Sequence, residues 1–143
     1  MQDLEIEVKL DQGAYAPESA HEDDGGYDLR TPVDVYIPPR GFAKVDTGVH
    51  IAIPKGYVGF LKSKSGLNVR DHLTGEGVID SGYTGSIVVK LYHNADTELG
   101  KSFIRGDKII QIVLIPIIKP KIKIVDELKE TERGDGGFGS TGR

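Results

Sequence analysis

Arg133-Gly134-Asp135-Gly136-Gly137-Phe138-Gly139-Ser140-Thr141-Gly142-Arg143 gathers an uncommon set of chemical groups in one short segment. Two guanidinium forks, two hydroxyls and a run of unobstructed backbone N–H groups surround one aromatic ring. Guanidinium forks and glycine-rich backbone turns suit phosphate oxygens. A lone ring among them suits stacking on a flat base. The glycines deny this segment a fold of its own, because ordering them costs the most backbone entropy and one large apolar side chain is there to repay it. Two readings follow from the residues alone. The segment is a mobile arm that orders over a nucleotide carrying several phosphates, or it is a disordered glycine-rich end.

A second constellation is Gly77-Val78-Ile79-Asp80-Ser81-Gly82-Tyr83-Thr84-Gly85, a tight turn between a small apolar run and a strand. Strands on either side can fix the Asp80 carboxylate within reach of a ligand, where it can take a proton from water. The alternative for Asp80 is a turn residue bonding its own backbone. Tyr83 projects from the same hairpin. Its face can pack on a sugar and leave no room for an extra hydroxyl, or it can serve cross-strand packing. Lys62-Ser63-Lys64-Ser65-Gly66-Leu67 is a basic, hydroxyl-bearing turn in which Lys64, Ser65 and the N–H of Gly66 can bind phosphate. A surface turn with solvated lysines is the bland alternative. Gln111 stands among isoleucines and a valine, so it is either hydrogen-bonded in the interior or presented to a ligand. Asp28, in Gly26-Tyr27-Asp28-Leu29-Arg30, opens a strand, and a salt bridge to an arginine would account for it.

The elements that must hold these groups are strands. The chain of 143 residues fits one domain, and its 19 glycines and 7 prolines punctuate short runs rich in β-branched residues. Val33, Val35 and Ile37 alternate, as do Val49, Ile51 and Ile53. Tyr57–Leu61, Ile87–Tyr92 and Ile109–Ile115 follow. A late run around Ile122 and Ile124, with Lys119, Lys121 and Lys123 between apolar residues, reads as an edge strand protected by charge and by Pro120. This pattern predicts an all-β sandwich or barrel over residues 1–125, with one short helix after Ser65-Gly66-Leu67 and a polar extension over 126–143. Glu22-Asp23-Asp24-Gly25-Gly26 reads as a solvated acidic turn. The extension can reach well beyond its own subunit, at up to about 3.3 Å per residue, so an arm serving a neighbour in an oligomer is expected.

Composition excludes several classes. Cysteine is absent, which rules out disulfides and thiolate metal sites. His21, His50, His72 and His93 lack ligand spacing and read as surface or loop residues. A net charge of −4 without long basic blocks argues against stable nucleic-acid binding. No apolar run reaches membrane-spanning length and no signal-peptide pattern is present, so a soluble cytoplasmic or otherwise intracellular protein is expected.

Five segments, in order, resemble the five motifs of the trimeric deoxyuridine triphosphatases (dUTPases). They are Gly26–Arg30, Lys64–Leu67, Gly77–Gly85, Gly106–Gln111 and Arg133–Gly142. The resemblance implies a jelly-roll-like subunit with a flexible C-terminal arm, and a homotrimer with active sites at subunit interfaces. It implies hydrolysis of dUTP to dUMP and pyrophosphate with Mg²⁺, which keeps uracil out of DNA and supplies dUMP for thymidylate synthesis. On this resemblance Asp80 activates water, and Tyr83 packs on deoxyribose. Backbone from Thr74 through Gly77, Val78 and Ile79 reads uracil. Lys64, Ser65, Gly66 and Gln111 hold phosphate, and Asp28 joins a water-mediated metal network, with no protein group bound directly to the metal. Phe138 and Gly139 cover the base, while Arg133, Ser140 and Thr141 grip the distal phosphates. Lys64 departs from the family's usual arginine and offers a point charge instead of a planar fork. Asn68 stands where a small residue is common. A dCTP deaminase of the same fold and a nucleotide-binding regulatory protein are the rival readings.

Overall fold

The computed structural model describes residues 4–142, so the expectation for Arg143 lies outside the described residues. Ten strands and one helix follow each other in the order β1 (Val8–Leu10), β2 (Tyr27–Arg30), β3 (Val35–Ile37), β4 (Phe42–Asp46), β5 (Val49–Ile51), β6 (Tyr57–Lys62), α1 (Ser65–Asp71), β7 (Leu73–Ile79), β8 (Val88–His93), β9 (Lys101–Phe103) and β10 (Lys108–Pro116). A six-stranded sheet runs β2-β10-β6-β7-β8-β4, and two-stranded sheets pair β1 with β5 and β3 with β9. Every pairing is antiparallel. The all-β expectation holds, and the expected short helix is present but begins at Ser65 rather than after Leu67.

The β-branched runs became strands because their apolar faces meet in one core. Leu29, Leu61, Leu73, Leu91, Ile110 and Ile112 are buried together in it. Strand β10 is the hinge of this arrangement. It pairs with β6 from Gln111 to Pro116 and with β2 from Lys108 to Ile112, so it joins residues distant in the chain. Thr31 keeps Val33 out of β3: its hydroxyl donates to the Val33 carbonyl and accepts from the Val33 N–H, closing a local turn. The acidic segment forms exposed bends, with the Asp24 carboxylate accepting from the His21 N–H.

Two expectations need correction. The run around Ile122 and Ile124 forms no strand among the described residues, and the strands end at Pro116 rather than near Val125. Pro116 and Pro120 lack the N–H a ladder requires, and the chain leaves the sheet with Ile122 and Ile124 almost fully exposed. His93 is neither a surface nor a loop residue. It lies at the end of β8, buried, with Nδ1 accepting from the Ala95 N–H. His50 is also on a strand, β5.

Among the glycines, Gly100 leaves the least room for a side chain. A Cβ there would lie 2.1 Å from the Ile37 carbonyl oxygen and 2.9 Å from the Ile37 carbonyl carbon. Backbone cannot swing away as a side chain can, so one methyl must push β3 from its place. Gly100→Ala is expected to destabilise the fold by about 1–3 kcal/mol. The midpoint of urea unfolding checks this; an unchanged midpoint contradicts the close approach.

Candidate active site

The ladder of β2, β10 and β6 assembles the first cluster. Gln111 on β10 lies opposite Asp28 on β2 and opposite Lys62 on β6. Its side-chain amide donates to the Ser63 carbonyl at 3.0 Å and rests on Gly26, where a Cβ would meet Oε1 at 2.5 Å. Gln111 is thus hydrogen-bonded and half-buried, and Gly26 is small because the amide occupies its side. Asp28 is buried, and two ammonium groups offset its charge. Lys64 Nζ donates to Oδ1 at 2.5 Å and Lys108 Nζ lies 3.4 Å from Oδ2. The arginine partner expected for Asp28 is not there: Arg30 turns away to Glu18 and to the Gly106 carbonyl. Compact ammonium groups reach Asp28 from two sides, where one guanidinium would have taken both oxygens from one side.

Helix α1 starts at this cluster. Lys64 is its N-cap in extended conformation, and its side chain makes no cap because an ammonium has no acceptor to offer; it donates to Asp28 instead. The N–H groups of Ser65, Gly66 and Leu67 in the first turn therefore have no intrahelical acceptor. The helix buries none of its residues. Asn68 gains a role the sequence did not show, donating to the Leu73 carbonyl and closing α1 onto β7. Ser65 and Thr74 line a groove with Lys62, Ser63, Gly75 and Tyr92. Lys62 also bonds Glu76, whose carboxyl is held below the usual carboxylate range by that hydrogen bond and charge.

Strand β7 links this cluster to a second one. It pairs with β6 along Glu76–Ile79 but with β8 only at Leu73, Thr74 and Gly75. The strands part there because the chain before β8 turns to another partner. The Ile87 N–H donates to the Val49 carbonyl, and the Ile87 carbonyl accepts from the Thr47 N–H and hydroxyl. The edge of Glu76–Ile79 that faces away from β6 is left without a ladder. Beyond it comes a turn in which the Tyr83 N–H donates to the Asp80 carbonyl at 3.0 Å. The Asp80 carboxylate is exposed, and among the described residues nothing bonds it, which excludes the self-bonded turn considered from sequence. Tyr83 Oη donates to the Ser86 carbonyl at 2.7 Å, and the ring lies over Gly85. Ser86 in turn bonds Asp46, whose carboxyl sits below its ordinary range through that hydroxyl and the Gly48 N–H.

The two clusters are not brought together within one chain. Gly75 and Asp80 stand at opposite ends of the free edge, roughly 16 Å apart at about 3.3 Å per residue. The arm is farther removed. Arg133, Phe138, Gly139, Ser140 and Thr141 are exposed, and among the described residues the arm bonds only itself, as in the Ser140 N–H to the Gly137 carbonyl. Phe138 adopts a positive φ of 46° and presents its whole ring to solvent. Lys108, Ser63 and Gly85 are the residues that sequence reasoning passed over. Lys108 sits inside a motif that had been noticed, but its partner lies far away in the chain.

A family model described as dUTPase matches residues 13–142. The chain belongs to the dUTPase family. A deoxyuridine 5'-triphosphate nucleotidohydrolase of Arabidopsis thaliana is 40% identical over 135 residues, covering 94% of this chain and 80% of that one. One from Thermobifida fusca is 41% identical over 143 residues, covering 97% and 79%. Among solved structures, a mutant dUTPase of Staphylococcus bacteriophage 80alpha with dUpNHpp superposes with a TM-score of 0.86 at 30% identity, covering 97% of this chain and 99% of that one. A mutant dUTPase of phage phi11, whose structure concerns a structural Mg(II) ion, gives 0.78 at 31% identity, covering 87% and 98%.

A Cβ on Gly85 would lie 2.5 Å from Tyr83 Oη and 2.6 Å from Cζ. Gly85→Ala is therefore expected to push the Tyr83 ring off its seat and break the bond to Ser86 while leaving the core intact. NMR resonances of the Tyr83 ring should move, and the methyl resonances of Ile110 should not. Unmoved Tyr83 resonances would show that the ring does not depend on Gly85.

Proposed function

We propose that the chain hydrolyses dUTP to dUMP and pyrophosphate at sites built between subunits of a homotrimer. The single observation that carries this is the free backbone edge of Glu76–Ile79, ending at an unbonded carboxylate and a tyrosine packed on glycine. A pyrimidine edge can take the place of the missing strand and be read by N–H and C=O groups at Gly77, Val78 and Ile79 as a base would read it. Tyr83 then packs against the sugar, and its fixed ring excludes a ribose 2′-hydroxyl. Asp80 takes a proton from water, which attacks the α-phosphorus. The new P–O bond forms as the α–β bridging bond breaks, and the electron pair leaves with pyrophosphate. The names of the relatives support the nucleotidohydrolase reading over the deaminase.

The polar groups fit phosphate. The unpartnered N–H groups of Ser65 and Gly66, the Ser65 hydroxyl and the Lys64 ammonium form one positive edge. Gln111 holds that edge in place through Ser63. Among the described residues no three carboxylate or imidazole groups converge on a metal-sized space. Asp28 is already neutralised by Lys64 and Lys108. This donor set fits Mg²⁺ carried mainly by substrate phosphates and waters, and Asp28 would join that network through a water. When bound, Mg²⁺ supplies charge that offsets the phosphate oxygens.

Two features support assembly. The α-phosphate cluster and the Asp80 turn stand apart on one chain, so a compact site needs a second chain. Ile122 and Ile124, at 88% and 89% exposure, each leave about 1.5–3 kcal/mol of burial unrealised until a neighbour covers them. From Asp126 onward we read an arm that reaches another subunit's site, where Phe138 and Gly139 cover the base and Arg133, Ser140 and Thr141 close on phosphates. No helix among the described residues is long and apolar enough to cross a membrane. A nucleoside triphosphate substrate supports the reading of an intracellular activity.

Asp80→Asn is expected to lower single-turnover hydrolysis of dUTP by about 10²- to 10⁴-fold while substrate affinity stays close to wild type, since the amide keeps the shape and loses the base. Near wild-type turnover would remove Asp80 from that role. Chains truncated after Glu132 are expected to lose catalysis yet keep their melting temperature. Mixing them with Asp80→Asn chains, under conditions of subunit exchange, should restore part of the activity. A mixture no more active than the sum of its components would refute the shared site.

A further inference from the structure

The loop that carries Asp80 and Tyr83 has two side-chain ties to the body, and they differ in chemistry. The first is the Ser86–Asp46 bond, and Asp46 is held below the usual carboxylate range, so it stays ionised through neutral pH. The second is His50. Its Nδ1 lies 2.8 Å from the Thr84 carbonyl oxygen and its Nε2 lies 3.0 Å from Asp11 Oδ1. Both partners are acceptors without a proton to give. A neutral imidazole has one N–H, so in either tautomer a ring lone pair would face an oxygen at hydrogen-bond distance. Only the imidazolium satisfies both sides.

Asp11 is itself fixed, because its N–H donates to the Gly48 carbonyl at 2.8 Å where β1 meets β5. We infer that His50 is a positioning residue for sugar discrimination: its imidazolium joins Asp11 to the Thr84 carbonyl and so holds the 80–86 loop, with Tyr83, against the β1–β5 pair. This rests on the reading of Tyr83 given above. Thr84 lies between Tyr83 and Gly85, the residue on which the ring is seated, so slack at Thr84 becomes slack in the ring.

The charges around His50 favour the protonated form. The Thr84 carbonyl raises its pKa most, above the ordinary 6.5, and the Asp11 hydrogen bond and charge add to this. Lys9, opposite His50 in the β1–β5 register, opposes it. Asp46, just before β5, feels the His50 charge, Glu7 lines the same surface hollow, and Asp80 is the one charged residue of the loop. A folded pKa above the unfolded one means the tie is complete below about pH 6.5 and is lost as pH rises through the raised value. The pair is partly exposed, so it is a local tie weakened by salt and not a source of global stability.

The test is the ratio of kcat/KM for dUTP to that for UTP, followed from about pH 6 to about pH 9. Taking the ratio cancels the titration of Asp80 and of the substrate phosphates, which both substrates share. The wild-type ratio should fall severalfold across the His50 titration. His50→Gln should give a flat ratio near the wild-type value at high pH, and Asp11→Asn should move the inflection to lower pH. A pH-independent ratio in an active wild-type enzyme, or a His50→Gln profile that follows the wild type, overturns the inference and leaves dUTP hydrolysis standing. Loss of dUTP hydrolysis in the wild type would overturn the proposed function instead. A second readout works in either case: the Tyr83 ring resonances should shift with the midpoint of the His50 imidazole titration, and that midpoint should drop in Asp11→Asn. Tyr83 resonances indifferent to His50 refute the tie.

Discussion

The pairing of β10 with both β2 and β6 is the constraint on which the rest of the site depends. It sets Gln111 between Asp28 and Lys62 and delivers Lys64, just past β6, to the Asp28 carboxylate. Helix α1 begins at Ser65, next to that bond, and its first N–H groups are free because the lysine at its N-cap has no acceptor for them. The same β6 then aligns β7, residue by residue, and so fixes where the strand parts from β8. A slip of one residue on β10 would turn Gln111 and Ile112 to the wrong faces and place a polar amide in the core.

Burial explains why Asp28 carries two lysines. A buried carboxylate with one partner is poorly compensated once that partner is drawn toward an incoming anion. On the proposed reading, Lys108 would stay beside Oδ2 while Lys64 turned to phosphate, so the charge of Asp28 would not be stranded during binding. Lysine at position 64 is suited to such sharing. Its ammonium is a point donor on a flexible stem, whereas a guanidinium locked in a two-pronged grip would release the carboxylate less readily.

Local patterning made much of this legible. The run that became β5 was visible because alternation reports a half-buried face, and those that became β6, β8 and β10 because short apolar runs lie between turn signals. The turn at Asp80 and the free N–H groups after Lys64 were visible because glycine and serine mark turns. What stayed hidden involves partners distant in sequence. Nothing near Lys108 tells of Asp28, and nothing near Gly100 tells of the Ile37 carbonyl. Strands β1 and β9 have three residues each, and their neighbours, not their composition, make them strands. The alternation at Ile122 and Ile124 reads as an edge strand, but Pro116 and Pro120 interrupt the ladder and both side chains stand exposed.

The unladdered edge of β7 has a consequence for how this protein tolerates genetic drift. The groups offered there are main-chain atoms, which every residue except proline supplies alike. The side chains of Glu76 and Val78 point outward and are exposed. Codon changes at those two positions can therefore accumulate while the displayed pattern of donors and acceptors stays the same. The vulnerable positions are the neighbours that keep the strand open, such as Thr47 and Ile87. On the proposed reading, a lineage can vary the outward side chains of the pocket while the base that its main chain reads stays the same.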